Sequence, residues 1–253
     1  MRTLAVIPAR LGASRLPRKP LRLVGGVPLV VRVWERVSSF GLASEIVVAT
    51  DSDEIAEAVR LAGGPVVLTG VNHPSGTDRV AEVASLARYA DVDAIINVQG
   101  DEPFVSEDAV RGAAELVTSG RFPLGTAAAP ARPDAFARPD VVKVVTADDG
   151  RALYFSRAPI PWLRDPGDAP ARAQIAREHI GVYVYTRAAL AAWVAMPPHP
   201  LERIERLEQL RPLAAGLAMG VATVSEFPGG GVDTEDDLAR ANARWLELSA
   251  ERA

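Results

Sequence analysis

Read from its N-terminus, the chain alternates two hydrophobic rhythms: TLAVI, then PLVVRVWERVSSF, then EIVVAT, then DSDEIAEAVRLAG. The first and third stretches are short unbroken apolar runs of strand length. The second and fourth carry apolar residues at roughly 3.6-residue spacing, the period of a helix with one buried face. Strand, helix, strand, helix implies parallel strands, because a chain that returns through a helix re-enters the sheet in the same direction; such sheets are covered on both faces. The same patterns predict strands at Val66 to Thr69, Ala94 to Val98, Leu124 to Ala128, Val141 to Thr146, Ala152 to Phe155, Ile180 to Tyr185 and Met219 to Val224. Helices are predicted at Asp78 to Tyr89, Glu107 to Thr118, Arg187 to Val194, Leu201 to Leu213 and Thr234 to Leu248. The loop from Pro161 to Arg172, rich in Pro, Asp, Gly and Ala, separates the clean alternation from a strand-rich second part and reads as a mobile insertion.

A chain of 253 residues, 48% of them hydrophobic, can bury a full core, and length favours one large α/β domain spanning 1–253. The net charge of -4 argues against a general nucleic-acid binder, which needs a broad basic face to displace counterions. With no cysteine and three histidines, disulfides, thiolate chemistry and a zinc cage are all disfavoured, so any metal would rest on oxygen ligands. The apolar start at Thr3 to Ile7 is far shorter than a signal peptide's core, and no run reaches a membrane span. The expectation is a cytoplasmic enzyme without nucleic-acid or membrane partners.

Against that acidic background stands AVIPARLGASRLPRKPL, where the first strand gives way to a loop carrying Arg10, Arg15, Arg18 and Lys19. Ligands of open parallel sheets bind outside the carboxyl ends of the strands, which is where this loop lies. Clustered cations repel one another unless an anion gathers them, and arginine and lysine side chains can converge on a polyphosphate. The loop is neither GxxxxGK[ST] nor GxGxxG, so a P-loop ATPase and a dinucleotide-binding dehydrogenase lose support; a solvated basic turn remains open. INVQGDEPFV sets Gln99 and Asp101 past the end of another strand, and GGGVDTEDDL sets Asp233 between a glycine turn and a helix. Two carboxylates facing a triphosphate cradle suit magnesium. Asp233 ahead of Thr-Glu-Asp-Asp reads equally as a helix cap, and Asp101 equally as a turn residue.

The ordered blocks IPARLGASRLPRKPL, VATDSDEIAEAV, HPSGTDRVAEV, INVQGDEP, VVKVV, LYFSRAPIPW, HIGVYVY, LERIERLEQLR and PGGGVDTEDDL run from Leu4 to about Arg240. Together they resemble the 3-deoxy-manno-octulosonate (Kdo) cytidylyltransferases. The resemblance implies a nucleotide-diphospho-sugar transferase-like α/β fold, with a mainly parallel sheet flanked by helices and a strand-rich sugar-binding and dimerisation lobe. Residues 1–130 would mainly bind CTP and 131–230 mainly form the lobe. It implies transfer of CMP from CTP to Kdo with release of pyrophosphate, for lipopolysaccharide assembly, in a magnesium-dependent step, by a homodimer.

Residue by residue, the resemblance puts Pro8, Ala9 and Arg10 at the nucleotide, Arg10, Arg15 and Lys19 on its phosphates, and Ser75, Gly76, Thr77 and Arg79 beside the cytosine, with Asp101 and Asp233 as magnesium ligands. These cations and aspartates would carry the catalysis. The sugar pocket would draw on Gln99, which would also border the CTP, and on Arg157, His179, Tyr183, Glu208 and Gln209, with Arg164 a weaker match. Read without the motifs, Arg157 is a strand-end surface arginine, His179 a hydrogen-bonded structural histidine, and Glu208 with Gln209 a solvated helix face. Arg18 departs from the pattern, standing where many members carry glycine before the lysine. A cytidylyltransferase for 8-amino-Kdo or sialate, and a non-catalytic nucleotide-binding regulator, are the competing readings.

Overall fold

The computed structural model describes residues 2–12 and 15–250. The chain divides into two compact units, one formed by 2–107 with 228–253 and the other by 108–227. Up to residue 107 the elements are β1 (Thr3–Ala9), a short hairpin of β2 (Leu23–Val24) and β3 (Val27–Pro28), α1 (Leu29–Ser38), β4 (Glu45–Thr50), α2 (Asp53–Leu61), β5 (Val66–Leu68), α3 (Gly76–Ser85) and β6 (Ala94–Val98). Next come α4 (Glu107–Thr118), β7 (Leu124–Pro130), β8 (Lys143–Thr146), β9 (Ala152–Ser156), α5 (Ala169–Ile175), β10 (Arg177–Thr186), α6 (Arg187–Ala195), α7 (Pro200–Glu205), α8 (Leu210–Ala214) and β11 (Met219–Thr223). The C-terminal helix α9 (Glu235–Ala250) closes the chain.

In the unit that begins at Arg2, β6, β1, β4 and β5 lie side by side in that order, all parallel. Every residue of β6 and nearly every residue of β1 is buried, as expected of strands covered on both faces. The helices begin where side chains can satisfy their first N–H groups: Ser52 accepts from Ile55 N–H at 3.4 Å ahead of α2, and Ser75 accepts from Asp78 N–H at 3.3 Å ahead of α3. In the other unit β11 runs parallel to β7, while β7–β10, β10–β8 and β8–β9 are antiparallel. The expectation of a strand-rich part beyond the Pro161 to Arg172 loop is corrected: β7, β8 and β9 precede that loop, and only β10 and β11 follow it, among helices.

Two further expectations are corrected. Pro161 to Arg172 is not bare loop: it holds a 3-10 turn at Pro166–Asp168, opened by Asp165 accepting from Gly167 N–H at 2.8 Å, and then enters α5. The single helix predicted over Leu201 to Leu213 is two, α7 and α8, because Arg206 takes a left-handed conformation at φ 55 and caps α7. Across the break the buried Arg211 donates to both carboxylate oxygens of Glu202, at 2.8 and 2.6 Å. Among the described residues no helix is long and apolar enough to cross a membrane.

Candidate active site

The end of β1 and the loops that meet it are packed too closely for side chains at some positions. A Cβ at Gly100 would lie 2.7 Å from the Pro8 carbonyl oxygen, so only glycine lets the Gln99–Asp101 turn approach the end of β1. A Cβ at Gly76 would lie 3.4 Å from Pro8 and 3.9 Å from Gln99 Oε1, which puts Pro8, Gly76 and Gln99 side by side. Arg10 follows β1 and is exposed. Leu16 and Pro20 are buried and pin the basic loop, and Leu16 belongs to a cluster with Val24, Leu29, Val232 and Leu238.

Lys19 opens a 3-10 turn, and its Nζ donates to Asp101 Oδ2 at 2.6 Å and to Asp233 Oδ1 at 2.9 Å. Arg15 Nη2 donates to the other Asp233 oxygen at 2.9 Å. Burial pulls the Lys19 ammonium down, but the attraction and hydrogen bonds of Asp101 and Asp233 outweigh it and hold the pKa above the ordinary lysine value. The two aspartates come from turns far apart in sequence, joined because Val232 N–H donates to the Asp101 carbonyl at 2.9 Å. Gly231 permits that junction, since a Cβ there would stand 3.2 Å from Glu102 Oε1. Burial first, and the charges of Asp101 and Asp233 second, push the Glu102 carboxyl well above the usual carboxylate range.

The alternative reading of Asp233 as a helix cap is excluded by geometry. Thr234 and Asp237 do that work: Thr234 Oγ1 accepts from Asp237 N–H at 3.2 Å, and Asp237 Oδ2 accepts from Thr234 N–H at 2.9 Å. The Asp233 carboxylate is thereby left to face the basic loop. Arg18 is not a fourth member of the cluster. Its φ of 55 turns it away, and its guanidinium pairs with Glu54 of α2 through both carboxylate oxygens.

Other predicted residues hold the site together. Arg79 is buried at 3% exposure and bound to Asp51 at 2.9 Å and to Thr69, so its guanidinium fixes the start of α3 to the ends of β4 and β5. Ser75 is committed to capping α3, and Thr77 is buried in its first turn.

Among the sugar-site candidates, His179 and Tyr183 share the less buried face of β10, largely covered, their rings 5.4 Å apart, with His179 edge-on to Phe155. A register shift between Ile180 and Tyr183 bulges the strand, and Thr126 Oγ1 fills it, donating to the Val182 carbonyl at 2.7 Å and lying 2.9 Å from His179 Nε2. Burial holds the His179 imidazole down at about 3; burial, then Tyr185 and Glu208, drive the Tyr183 hydroxyl well above its usual range. Gln209 is buried ahead of α8, and Glu208 is half-buried. Arg164 is exposed. Arg157 differs from a free carboxylate clamp: Nε donates to the Glu205 carbonyl at 2.8 Å, Nη1 to Pro139 at 3.0 Å and Nη2 to Arg206 at 3.4 Å.

Sequence reasoning missed the groups around Arg157. Lys143 is fully buried and its ammonium donates to the carbonyls of Arg138, Val141 and Arg157 at 2.9, 2.6 and 2.6 Å. Glu205 accepts from Ser156 Oγ at 2.6 Å and Arg157 N–H at 2.9 Å. A lysine inside the apolar run VVKVV was the visible signal of the first; the second carried none. Among the described residues no group of three or more His, Cys, Asp or Glu is arranged to hold a metal by itself.

A family model described as Cytidylyltransferase matches residues 4–219. A 3-deoxy-manno-octulosonate cytidylyltransferase of Gemmatimonas aurantiaca is 63% identical over 250 residues, covering 99% of this chain and 96% of the relative. The enzyme of the same name from Stenotrophomonas maltophilia is 46% identical over 252 residues, covering 96% and 97%. A solved CMP:2-keto-3-deoxy-manno-octonic acid synthetase complexed with CTP superposes with a TM-score of 0.90 at 35% identity, covering 98% of this chain and all of that one. A 4-diphosphocytidyl-2C-methyl-D-erythritol synthase from Anaerococcus prevotii, at 14% identity over 97% and 98%, shares the fold with a TM-score of 0.63.

Proposed function

The chain belongs to the 3-deoxy-manno-octulosonate cytidylyltransferase family, and from that premise we propose that it transfers CMP from CTP to Kdo, giving CMP-Kdo and pyrophosphate for lipopolysaccharide synthesis. The observation that carries the reading is Lys19 bonded at once to Asp101 and Asp233, which joins the basic loop to two carboxylates from distant turns. The reaction brings an anionic sugar against the α-phosphorus of an anionic nucleotide. Arg10, Arg15 and Lys19 lower that repulsion and steady the pyrophosphate as it leaves. Pro8 and Ala9 at the end of β1, Gln99, and Ser75, Gly76 and Thr77 at the start of α3 form the adjoining nucleotide surface, with Arg79 tying the start of α3 to Asp51 and Thr69.

The donor set fits a hard divalent cation, since both aspartates turn carboxylate oxygens toward one point now bonded to an ammonium. Asp101 and Asp233 would hold magnesium with phosphate oxygens and water as its remaining ligands. Magnesium there would neutralise charge on the phosphates and lower the pKa of an attacking hydroxyl. For the sugar we propose Gln99, His179, Tyr183, Glu208 and Gln209, with Arg157 for the carboxylate. Binding there requires Nη1 and Nη2 to leave the carbonyls of Pro139 and Arg206, the second already long at 3.4 Å. A cytoplasmic homodimer completes the proposal.

The test is pyrophosphate release with CTP, magnesium and Kdo, against parallel reactions with 8-amino-Kdo and sialate. Release coupled to CMP-Kdo formation is the expected result. A preference for either other sugar would reassign the substrate, and CTP binding without turnover on any of them would make the chain a nucleotide-binding regulator.

A further inference from the structure

We infer that Lys19 and Arg15 are internal counter-ions that hold Asp101 and Asp233 against a divalent cation until nucleotide phosphates draw them away, so that cation and nucleotide capture are coupled by an exchange of partners. The inference rests on the reading of Asp101 and Asp233 as metal ligands, and deepens it.

The cations of a phosphate clamp are here bonded to carboxylates. Lys19 reaches Asp101 Oδ2 and Asp233 Oδ1, while Arg15 takes Asp233 Oδ2, so both oxygens of Asp233 carry a cation. The Lys19 side chain is 18% exposed and that of Asp101 25%, which limits solvent screening of their attraction. Magnesium needs carboxylate oxygens at about 2.0–2.1 Å. An ammonium 2.6 and 2.9 Å from those same oxygens stands in that volume and repels a second positive charge. A triphosphate offers Lys19 and Arg15 oxygens of greater charge; when they turn to it, both aspartates lose their counter-ions and gain affinity for the metal. Coupling of this kind is reciprocal: the metal, by displacing the cations, strengthens their hold on phosphate. If the ion pairs only held the loop in shape, removing a cation would destabilise the loop without strengthening metal binding.

Mn²⁺ alone separates the two cases, titrated without nucleotide into the full chain and followed by electron paramagnetic resonance of the free ion. Lys19→Met is expected to bind Mn²⁺ about tenfold more tightly than the wild type. Arg15→Met, at a side chain 65% exposed and so safe for folding, should show a smaller gain of the same sign. Adding Asp101→Asn to Lys19→Met should abolish the gain. If both single variants fold, by circular dichroism, and bind Mn²⁺ no more tightly than wild type while Asp101→Asn still weakens binding, the exchange is overturned and the metal assignment stands. A gain that survives Asp101→Asn overturns both.

Discussion

Asp101 takes its position from the backbone, through the Val232 N–H bond to its carbonyl, so its side chain can be altered without disturbing the turn. Asp101→Asn keeps size and polarity but removes the charge that the proposed metal site relies on. Turnover at saturating magnesium should fall by about a hundredfold or more, with the fold retained by circular dichroism; retention of half the wild-type rate would remove Asp101 from the site. Arg18 gives the opposite contrast. Its left-handed backbone costs a non-glycine residue about 1 kcal/mol, and its pair with Glu54 is exposed and worth little. Arg18→Gly should therefore leave both stability and the KM for CTP near wild type, since relieved strain offsets the added freedom of glycine in the unfolded chain. A rise in that KM of about tenfold, the scale of a lost charge-assisted phosphate contact, would return Arg18 to the clamp.

At the scale of elements, α9 is the part of the scaffold that reaches back to the basic loop. Asn242 accepts from Gly25 N–H at 2.9 Å and donates to the Leu23 carbonyl at 3.0 Å, tying the β2–β3 hairpin to the helix. Arg22 pairs with Glu235 through two bonds of 2.7 Å, and the Arg32 guanidinium stacks 3.8 Å above the Trp245 ring. Asn242→Ala leaves the part-buried Gly25 N–H without its acceptor, while the exposed Leu23 carbonyl can turn to water, at a cost of about 1–3 kcal/mol measured by urea denaturation. Loss below about 0.5 kcal/mol would mean that the Leu16, Val24 and Leu238 cluster alone holds the helix down.

For the whole molecule, His179 sets an acid limit. Its folded pKa of about 3 lies below the ordinary 6.5, because burial disfavours the imidazolium. Between those values the unfolded chain takes up a proton that the folded chain refuses. The contribution is fully favourable to folding above pH 6.5 and is lost as pH falls toward 3. Stability by chemical denaturation should decline over that window, and His179→Gln should flatten the decline by removing the titrating ring. An unchanged slope in the variant would show that other groups dominate acid unfolding.

The alternating periods determined the parallel strands, because a buried strand and a one-faced helix each leave a local signature; β6 and α4 were legible at both ends. Ordered motifs likewise placed Lys19, Asp101 and Asp233 in one site. What sequence could not decide were contacts made across long separations and the backbone turns that permit them. Whether Asp233 capped α9 or faced Lys19 depended on Thr234 and Asp237 taking the cap, and the break at Arg206 is a single left-handed residue inside an otherwise helical pattern. Arg157 kept its place in the motif, yet its fork is held by carbonyls of Pro139, Glu205 and Arg206, backbone groups that no side-chain pattern announces. Local periodicity is written residue by residue, whereas a carbonyl's partner is fixed only when distant segments have packed.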